Sequence, residues 1–587
     1  MGKTLKSGKA KEQSFLQGSV ILVVATMLVK VIGAIYRIPL GELLDTTGMG
    51  YYSTAYDLYV PMYSIAMAGL PIAISRIVSE HVAAGRFKHV KKTLNVAKAA
   101  FVVTGGTGFL LMVGLAFLLT GNTITLFGHS LSFEVFNRGT LPGILCIAPC
   151  LIFCCIMSAY RGYYEGLRNM TPTAISQVLE ALGKLIFGYG FSFVILKITD
   201  NYSYAAAGAL LGISFGTVIS ALYLEIKYRL SGKHTFTDEQ IASAPEPYTN
   251  GKTLKVLVAV AIPIVLGSLV NNVSSLIDVA MVQSQLANAI EKSPEYFKEA
   301  YSGLIAYEVE QAAKSDLAFE WSKDLPNSLY GAHRGFAFSI YNLVPSLTSV
   351  LGVSAIPVLA TAWTKRDIVE IRTNVNTMLR TTALVAVPAG CGIIALSEQI
   401  LSFLYSNPYA IEIATPNLRV LGLCAIFAGL NGPLTNMLQA IGRQGVPLRN
   451  IAVGAVLKIV INFVLVGTPE INIFGVPIGT TVCYAYICVA NLICFVKYSG
   501  VLPNLLLSLG KPLICGIGCG ASAFGVNLLL NKLGFGGSLS TLGSVCVAAV
   551  VYVLLLFLIK AITREDIISL PKGKKIIKVL EKLRLMR

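Results

Sequence analysis

Apolar residues along this chain come in unbroken runs rather than in alternation or at helical-face spacing. Stretches of roughly 20 residues with few charges, each long enough for one helix across a bilayer, follow one another from Phe15 to Ile562. Their breaks predict fourteen spans: 15–40, 56–84, 93–119, 135–159, 173–197, 203–227, 255–282, 331–362, 378–404, 417–440, 450–467, 474–496, 511–530 and 539–562. Only the 284–329 loop leaves room for anything outside the membrane. The pattern predicts an all-α integral membrane protein of about 14 transmembrane helices.

Composition agrees. Charged residues make up 13% of the 587, where a soluble domain carries about 25%, and the mean hydropathy is +0.69. The N-terminus "MGKTLKSGKAKEQ" is basic, but no small-residue cleavage site follows a short apolar core, so span 1 is read as retained. All twelve cysteines lie in apolar runs, without a CxxC pair or Cys/His spacing. They read as small packing residues, and neither a metal nor a cofactor is expected.

The net charge of +17 suggests nucleic acid until its distribution is considered. With the N-terminus inside, cytoplasmic segments hold 33 of the 47 Lys and Arg and external segments hold eight. That split follows the positive-inside rule. It predicts cytoplasmic termini, an even span count and a multi-pass plasma-membrane location, with no nucleic acid as partner. The tail "KGKKIIKVLEKLRLMR" reads as an amphipathic helix on an anionic inner leaflet. The external 284–329 loop has eight acidic and four basic residues and a helical, amphipathic pattern. It is either a small cap or an insertion without a role.

Two stretches echo each other. "EGLRNMTPTAISQVLEALGKLIF" (165–187) and "QAIGRQGVPLRNIAVGAVLKIVI" (439–461) share a glycine turn with Arg, then Pro, then a Lys inside the span. Pro172 and Pro447 are offset by 275, Lys184 and Lys458 by 274. A second echo sets Pro61 and Pro71 against Pro345 and Pro357. Spans 1–6 and 7–12 therefore read as two parallel six-helix repeats with a substrate site between them. The expected organisation is a lobe at 1–230, a cytoplasmic linker at 231–254, a lobe at 255–497 carrying the 284–329 insertion, helices 13–14 at 498–562 and a basic tail at 563–587.

Six cations remain inside the spans: Lys30, Arg37, Arg76, Lys184, Arg334 and Lys458, against Asp57, Glu180 and Asp278 as the clearest carboxylates. A charge at mid-membrane costs about 2.5–3.5 kcal/mol on insertion scales, so each needs a reason. Lys30 and Arg37 are seven residues apart, two turns, and share a face. Arg37 and Arg334 lie near the outer boundary, where snorkelling to headgroups is an alternative. Glu180 and Lys184, at i and i+4, read as a self-neutralising pair or as cavity residues. Lys30 and Arg76 are expected to lack a neutralising neighbour. A cavity lined by excess positive charge accounts for them, and it suits a phosphate or diphosphate. No catalytic motif accompanies these charges: "NGKT" (250–253) lacks the upstream glycine of a phosphate-binding loop, and no HExxH occurs.

"VKVIGAIYRIPLGELLDTTGMGYYSTAYDLYVPMYSIAMAGLPIAISRIVSEHVAAG" and "YRGYYEGLRNMTPTAISQVLE" resemble the polysaccharide-transporter branch of the multidrug/oligosaccharidyl-lipid/polysaccharide (MOP) exporters. Within it, the chain is similar to stage V sporulation protein B-like proteins and MurJ-like lipid II flippases. The resemblance implies a transporter rather than an enzyme, in the bacterial plasma membrane. It implies a central cationic cavity for the head of a polyprenyl-diphosphate-linked sugar, with helices 13–14 as a groove for the lipid tail. Arg37, Asp57 and Arg76 match the family's cavity positions, and Arg334 matches loosely. Asp278 in span 7 matches a coupling carboxylate of some members, whereas span 11 offers Lys458 and Asn462, so a lysine stands in for the cation there. Expected partners are the lipid-linked sugar, membrane lipids and cell-wall synthesis machinery, with the chain as a monomer. The alternative function is a multidrug or organic-cation antiporter of the same superfold, which calls for an acidic cavity. A membrane glycosyltransferase would need paired external carboxylates, and no such spacing stands out in 284–329.

Overall fold

A computed structural model describes residues 15–67, 70–121, 124–126, 129–131, 135–230, 236–314 and 319–562. Helices cover all fourteen predicted spans. Among the described residues, eleven helical segments are long and apolar enough to cross a membrane. The protein is a predominantly helical, multi-pass membrane protein. The described residues add one antiparallel strand pair, Ile124–Leu126 with His129–Leu131, between spans 3 and 4. The basic segment 1–14 and the predicted surface helix 563–587 lie outside the described residues.

Several boundaries move from where hydropathy puts them, each for a local reason. Spans 1 and 2 are not separated by a loop at 41–55. Phe15–Met67 is helical throughout except at Asp45, with φ 55° and ψ −166°. Asp tolerates the left-handed region better than most residues, and here its Oδ1 accepts the N–H of Thr46 at 2.7 Å. Span 9 is the helix Ile368–Ala395, ten residues ahead of its predicted start, because Asp367 caps it by accepting the N–H of Glu370. Span 10 is Pro408–Ala440, capped by Asn407, with Pro408 in the first turn. Within the insertion, Pro294–Ala300 and Ser302–Lys314 are helical, as the pattern predicts.

The chain forms two compact units, 1–284 with 309–327, and 285–308 with 328–587. Span 7 up to Ser284 belongs to the first unit, where Gln283 donates to Thr54 Oγ1 at 2.5 Å. The 309–327 segment is fastened in the same unit: Asn327 donates to the Thr47 carbonyl at 3.0 Å, and Asn137 donates to Asp324 at 2.6 Å. In the second unit Tyr301 donates to Asn472 at 2.7 Å, and the Tyr307 and Tyr409 rings lie 5.6 Å apart.

Spans 5 and 6 make the closest approach that matters for the site. Span 5 is Thr171–Gly183, a π turn over Lys184–Gly188, then Tyr189–Thr199. Span 6 is Tyr202–Leu230. A Cβ on Gly183 would overlap the Cα of Gly216, and one on Gly212 would overlap the backbone of Gly188. The two glycines of span 5 are five residues apart and those of span 6 four apart. The π turn absorbs the extra residue, so both pairs meet. Without a hydrophobic drive between helices in lipid, such backbone contact is what holds them. Gly212→Ala should lower stability by about 1–3 kcal/mol, read as a fall in melting temperature in detergent. Gly190→Ala, where a Cβ meets nothing within 4 Å, should leave it unchanged or raised.

The linker is tied down by Lys88, which donates to Glu246 at 2.7 Å, and Arg86, which donates to the Tyr248 hydroxyl at 3.1 Å. The hydrogen bond from Lys88, and then its charge, hold the Glu246 carboxyl below its usual range. This tether is therefore present at neutral pH and is lost as pH falls through the carboxylate range. Glu246→Gln should raise proteolysis of 236–249 at pH 7 roughly twofold, and wild type should approach the variant's rate as pH falls through the carboxylate range.

Candidate functional site

The site is built on a tyrosine ladder. Tyr52, Tyr56, Tyr59 and Tyr63 follow i, i+4, i+7, i+11 along one helix face. Neighbouring ring centroids lie 5.8, 6.1 and 5.6 Å apart. Tyr36 of span 1 is fully buried and packs on Gly188, where an added Cβ would come 2.8 Å from its hydroxyl. The glycine that lets span 6 approach thus also admits the Tyr36 ring.

Lys184, the first residue of the π turn, lies between these aromatics. Its Nζ is 4.9 Å from the centroid of Tyr36 and 4.9 Å from that of Tyr56. Arg37 Cζ lies 5.9 Å from the same Tyr56 centroid. Two cations therefore share one ring. Among the described residues Lys184 makes no hydrogen bond or ion pair. A cation–π contact contributes about 0.5–2 kcal/mol, less than the charge costs to insert. The rings hold the ammonium without neutralising it.

The expected Glu180–Lys184 pair does not form. Glu180 instead receives Arg161 Nη2 at 2.9 Å, and Arg161 Nε donates to Ser176 Oγ at 2.9 Å. Arg161, assigned to a cytoplasmic segment by hydropathy, lies inside the helix Cys150–Gly166 with its side chain 11% exposed. Its half-buried carboxylate partner is what allows the helix to carry it. The expectation for Arg76 also fails. It donates to Glu80, one turn on, at 2.8 Å, and both side chains are exposed. Arg76 is a solvated i, i+4 pair.

The remaining residues separate. Lys30 is exposed, on a face with Met27 and Val31. Arg37 is half-buried, so the two-turn spacing brings only one of the two to the tyrosines. Asp57 is buried and follows Tyr56 directly. Asp278 is half-buried in the helix Asn250–Lys292. Arg334 lies in the second unit, in another π turn, Ala332–Ala337, with Cζ 3.8 Å from the Phe338 centroid. Lys458 is half-buried in Gly445–Val466, and Asn462 on the same helix is fully buried against Gly479.

Sequence reasoning missed Tyr36, Tyr56, Arg161 and the glycines. The glycines carried a signal: Gly208, Gly212 and Gly216 form a GxxxGxxxG run in span 6, a pattern of close helix contact. The ladder spacing of the tyrosines was legible too. The Arg161–Glu180 pair joins spans 4 and 5 and leaves no local periodicity.

Comparison with known proteins follows the same lines. The polysaccharide biosynthesis protein family matches residues 15–308. The chain belongs to this family. The MatE family matches residues 332–464. Stage V sporulation protein B of Bacillus subtilis (strain 168) is 24% identical over 575 residues, covering 95% of this chain and 98% of that protein. Lipid II flippase MurJ of the same organism is 24% identical over 463 residues, covering 77% of each. A structure of lipid II flippase MurJ in an inward closed conformation superposes with a TM-score of 0.62 at 12% identity, covering 91% of this chain and 98% of that one. An inward-facing multidrug MATE transporter gives 0.56 at 12% identity, covering 82% and 98%. At 12% identity these two superpositions show a shared fold.

The Arg161–Glu180 pair yields a test of how the site is supported. Arg161→Leu leaves a half-buried carboxylate without its ion pair and should cost about 1–3 kcal/mol. Adding Glu180→Leu should restore most of the loss in melting temperature.

Proposed function

We propose that this protein is a flippase. It carries a polyprenyl-diphosphate-linked sugar, lipid II or a related cell-wall precursor, from the inner to the outer leaflet by alternating access. The observation that carries this reading is Lys184. It is a lysine in a membrane span that makes no salt bridge among the described residues, beside Arg37 on a shared tyrosine ring. A diphosphate supplies the missing negative charge and accepts charge-assisted hydrogen bonds from both cations. The tyrosine faces offer a surface for a sugar ring, and the polyprenyl tail stays in lipid throughout.

The relatives support the same reading, since one is named as a lipid II flippase and another as a sporulation protein. On this account Lys30 and Arg76, both exposed, attract the head group, and Arg334 is a further substrate-binding cation. Asp57, Asp278, Lys458 and Asn462 serve gating or coupling. The protein acts as a transporter and performs no covalent step.

A multidrug cation antiporter is the second reading, favoured by the MatE match over 332–464. It needs carboxylates free to take a cation, whereas Glu180 is held by Arg161 and Lys184 would repel such a substrate.

The test is complementation of a strain depleted of its lipid II flippase. Wild type should restore growth. Lys184→Gln and Arg37→Gln, at normal membrane levels, should not, and Lys184→Arg should restore it in part. Growth supported by both glutamine variants would overturn the assignment, as would ethidium efflux by wild type without rescue.

A further inference from the structure

We infer that the first unit holds a binding groove for one anionic glycerophospholipid between the start of span 3 and the start of the Asn250–Lys292 helix. The groove encloses about 450 Å³, within the range of sites that take small molecules. Its chemistry changes along its length. Lys92 and Asn95 line one end, and Ala99, Ala100 and Val103 line the other. Asn250, Gly251 and Leu254 face them. From Lys92 to Val103 the helix rises roughly 16 Å, about half the hydrocarbon thickness of a bilayer. The groove is thus polar at one end and apolar over the remaining rise of roughly 10 Å from Val96 to Val103.

The polar end carries uncompensated positive charge. Two of the neighbouring lysines are committed: Lys88 to Glu246 at 2.7 Å, and Lys98 to Tyr160 at 2.7 Å and Glu225 at 3.7 Å. Lys92 is half-buried, lines the groove and makes no hydrogen bond or ion pair among the described residues. Across from it the Asn250–Lys292 helix begins with no acidic residue in its first turn, and Lys252 adds a further cation there. Its positive dipole end is left unneutralised. The small side chains of Ala99 and Ala100 leave a slot beyond this end.

A phosphodiester lipid without an amine matches both ends: the phosphate meets Lys92 and the helix start, and one acyl chain lies along Ala99, Ala100 and Val103. A zwitterionic lipid brings its own cation to the same place. Free phosphate leaves the apolar half unused. The groove contains none of Arg37, Lys184, Tyr36 or Tyr56, so this inference stands independently of the transport reading.

The full chain, delipidated in detergent, can be titrated with dioleoyl-phosphatidylglycerol, dioleoyl-phosphatidylcholine or inorganic phosphate and read by native mass spectrometry. Phosphatidylglycerol should occupy a first site more tightly than phosphatidylcholine, and phosphate alone should not occupy it. Lys92→Gln should weaken that first site about fivefold. Ala100→Phe, which fills the slot while sparing every charge, should weaken it as well. Melting curves matching wild type would show that both variants are folded. Equal binding of the two lipids, wild-type affinity in both variants, or occupancy by phosphate alone would each overturn the proposal.

Discussion

The contact on which the site depends is glycine against glycine between spans 5 and 6. Gly183 meets Gly216 and Gly188 meets Gly212, with no room for a side chain at either point. In lipid the helices gain little from hydrophobic burial, so backbone proximity has to hold them together. The five-residue interval in span 5 meets the four-residue interval in span 6 only because Lys184–Gly188 is wound as a π turn. Such turns are uncommon and occur mostly as single insertions at functional sites.

That turn seats the charge. It begins at Lys184 and ends at Gly188, which also accepts the Tyr36 ring. Tyr36 and Tyr56 then bracket the ammonium, while Arg161 holds Glu180 away from it. Packing, winding and electrostatics converge on one lysine that makes no ion pair among the described residues. A structural lysine in this place would take Glu180, four residues away and ready to hand. Its diversion to Arg161 is what makes the arrangement read as a receptor for an anion rather than as a self-contained ion pair. A second π turn carries Arg334 in the other unit, so among the described residues the device of placing a cation on a locally rewound helix occurs twice.

Much of the fold was legible. Hydropathy located every span, since the need for roughly 20 apolar residues per crossing leaves little freedom. It misplaced the ends of spans 9 and 10 because Asp367 and Asn407–Pro408 start helices in polar sequence that a hydropathy window ignores. The corner at Asp45 depends on one backbone torsion and left no mark in composition. The charged residues were found, but their partners were not. Arg76 and Glu80 form an i, i+4 pattern that the sequence does contain, whereas Arg161 and Glu180 lie nineteen positions apart and meet only through tertiary packing. Lys30 and Arg37 share a helical face as their spacing requires, yet burial differs along that face, and only Arg37 reaches the tyrosines.

The central claim is that a diphosphate completes the coordination of Lys184, and a distance tests it most directly. Protein carrying 15N in its lysine side chains, reconstituted with undecaprenyl diphosphate, can be examined by solid-state NMR for dipolar coupling between nitrogen and 31P. A charge-assisted contact places Lys184 Nζ within about 4 Å of a phosphorus atom. The account predicts a coupled lysine signal that disappears in Lys184→Arg protein still holding the diphosphate. Bound undecaprenyl diphosphate with no coupling to Lys184 would contradict it.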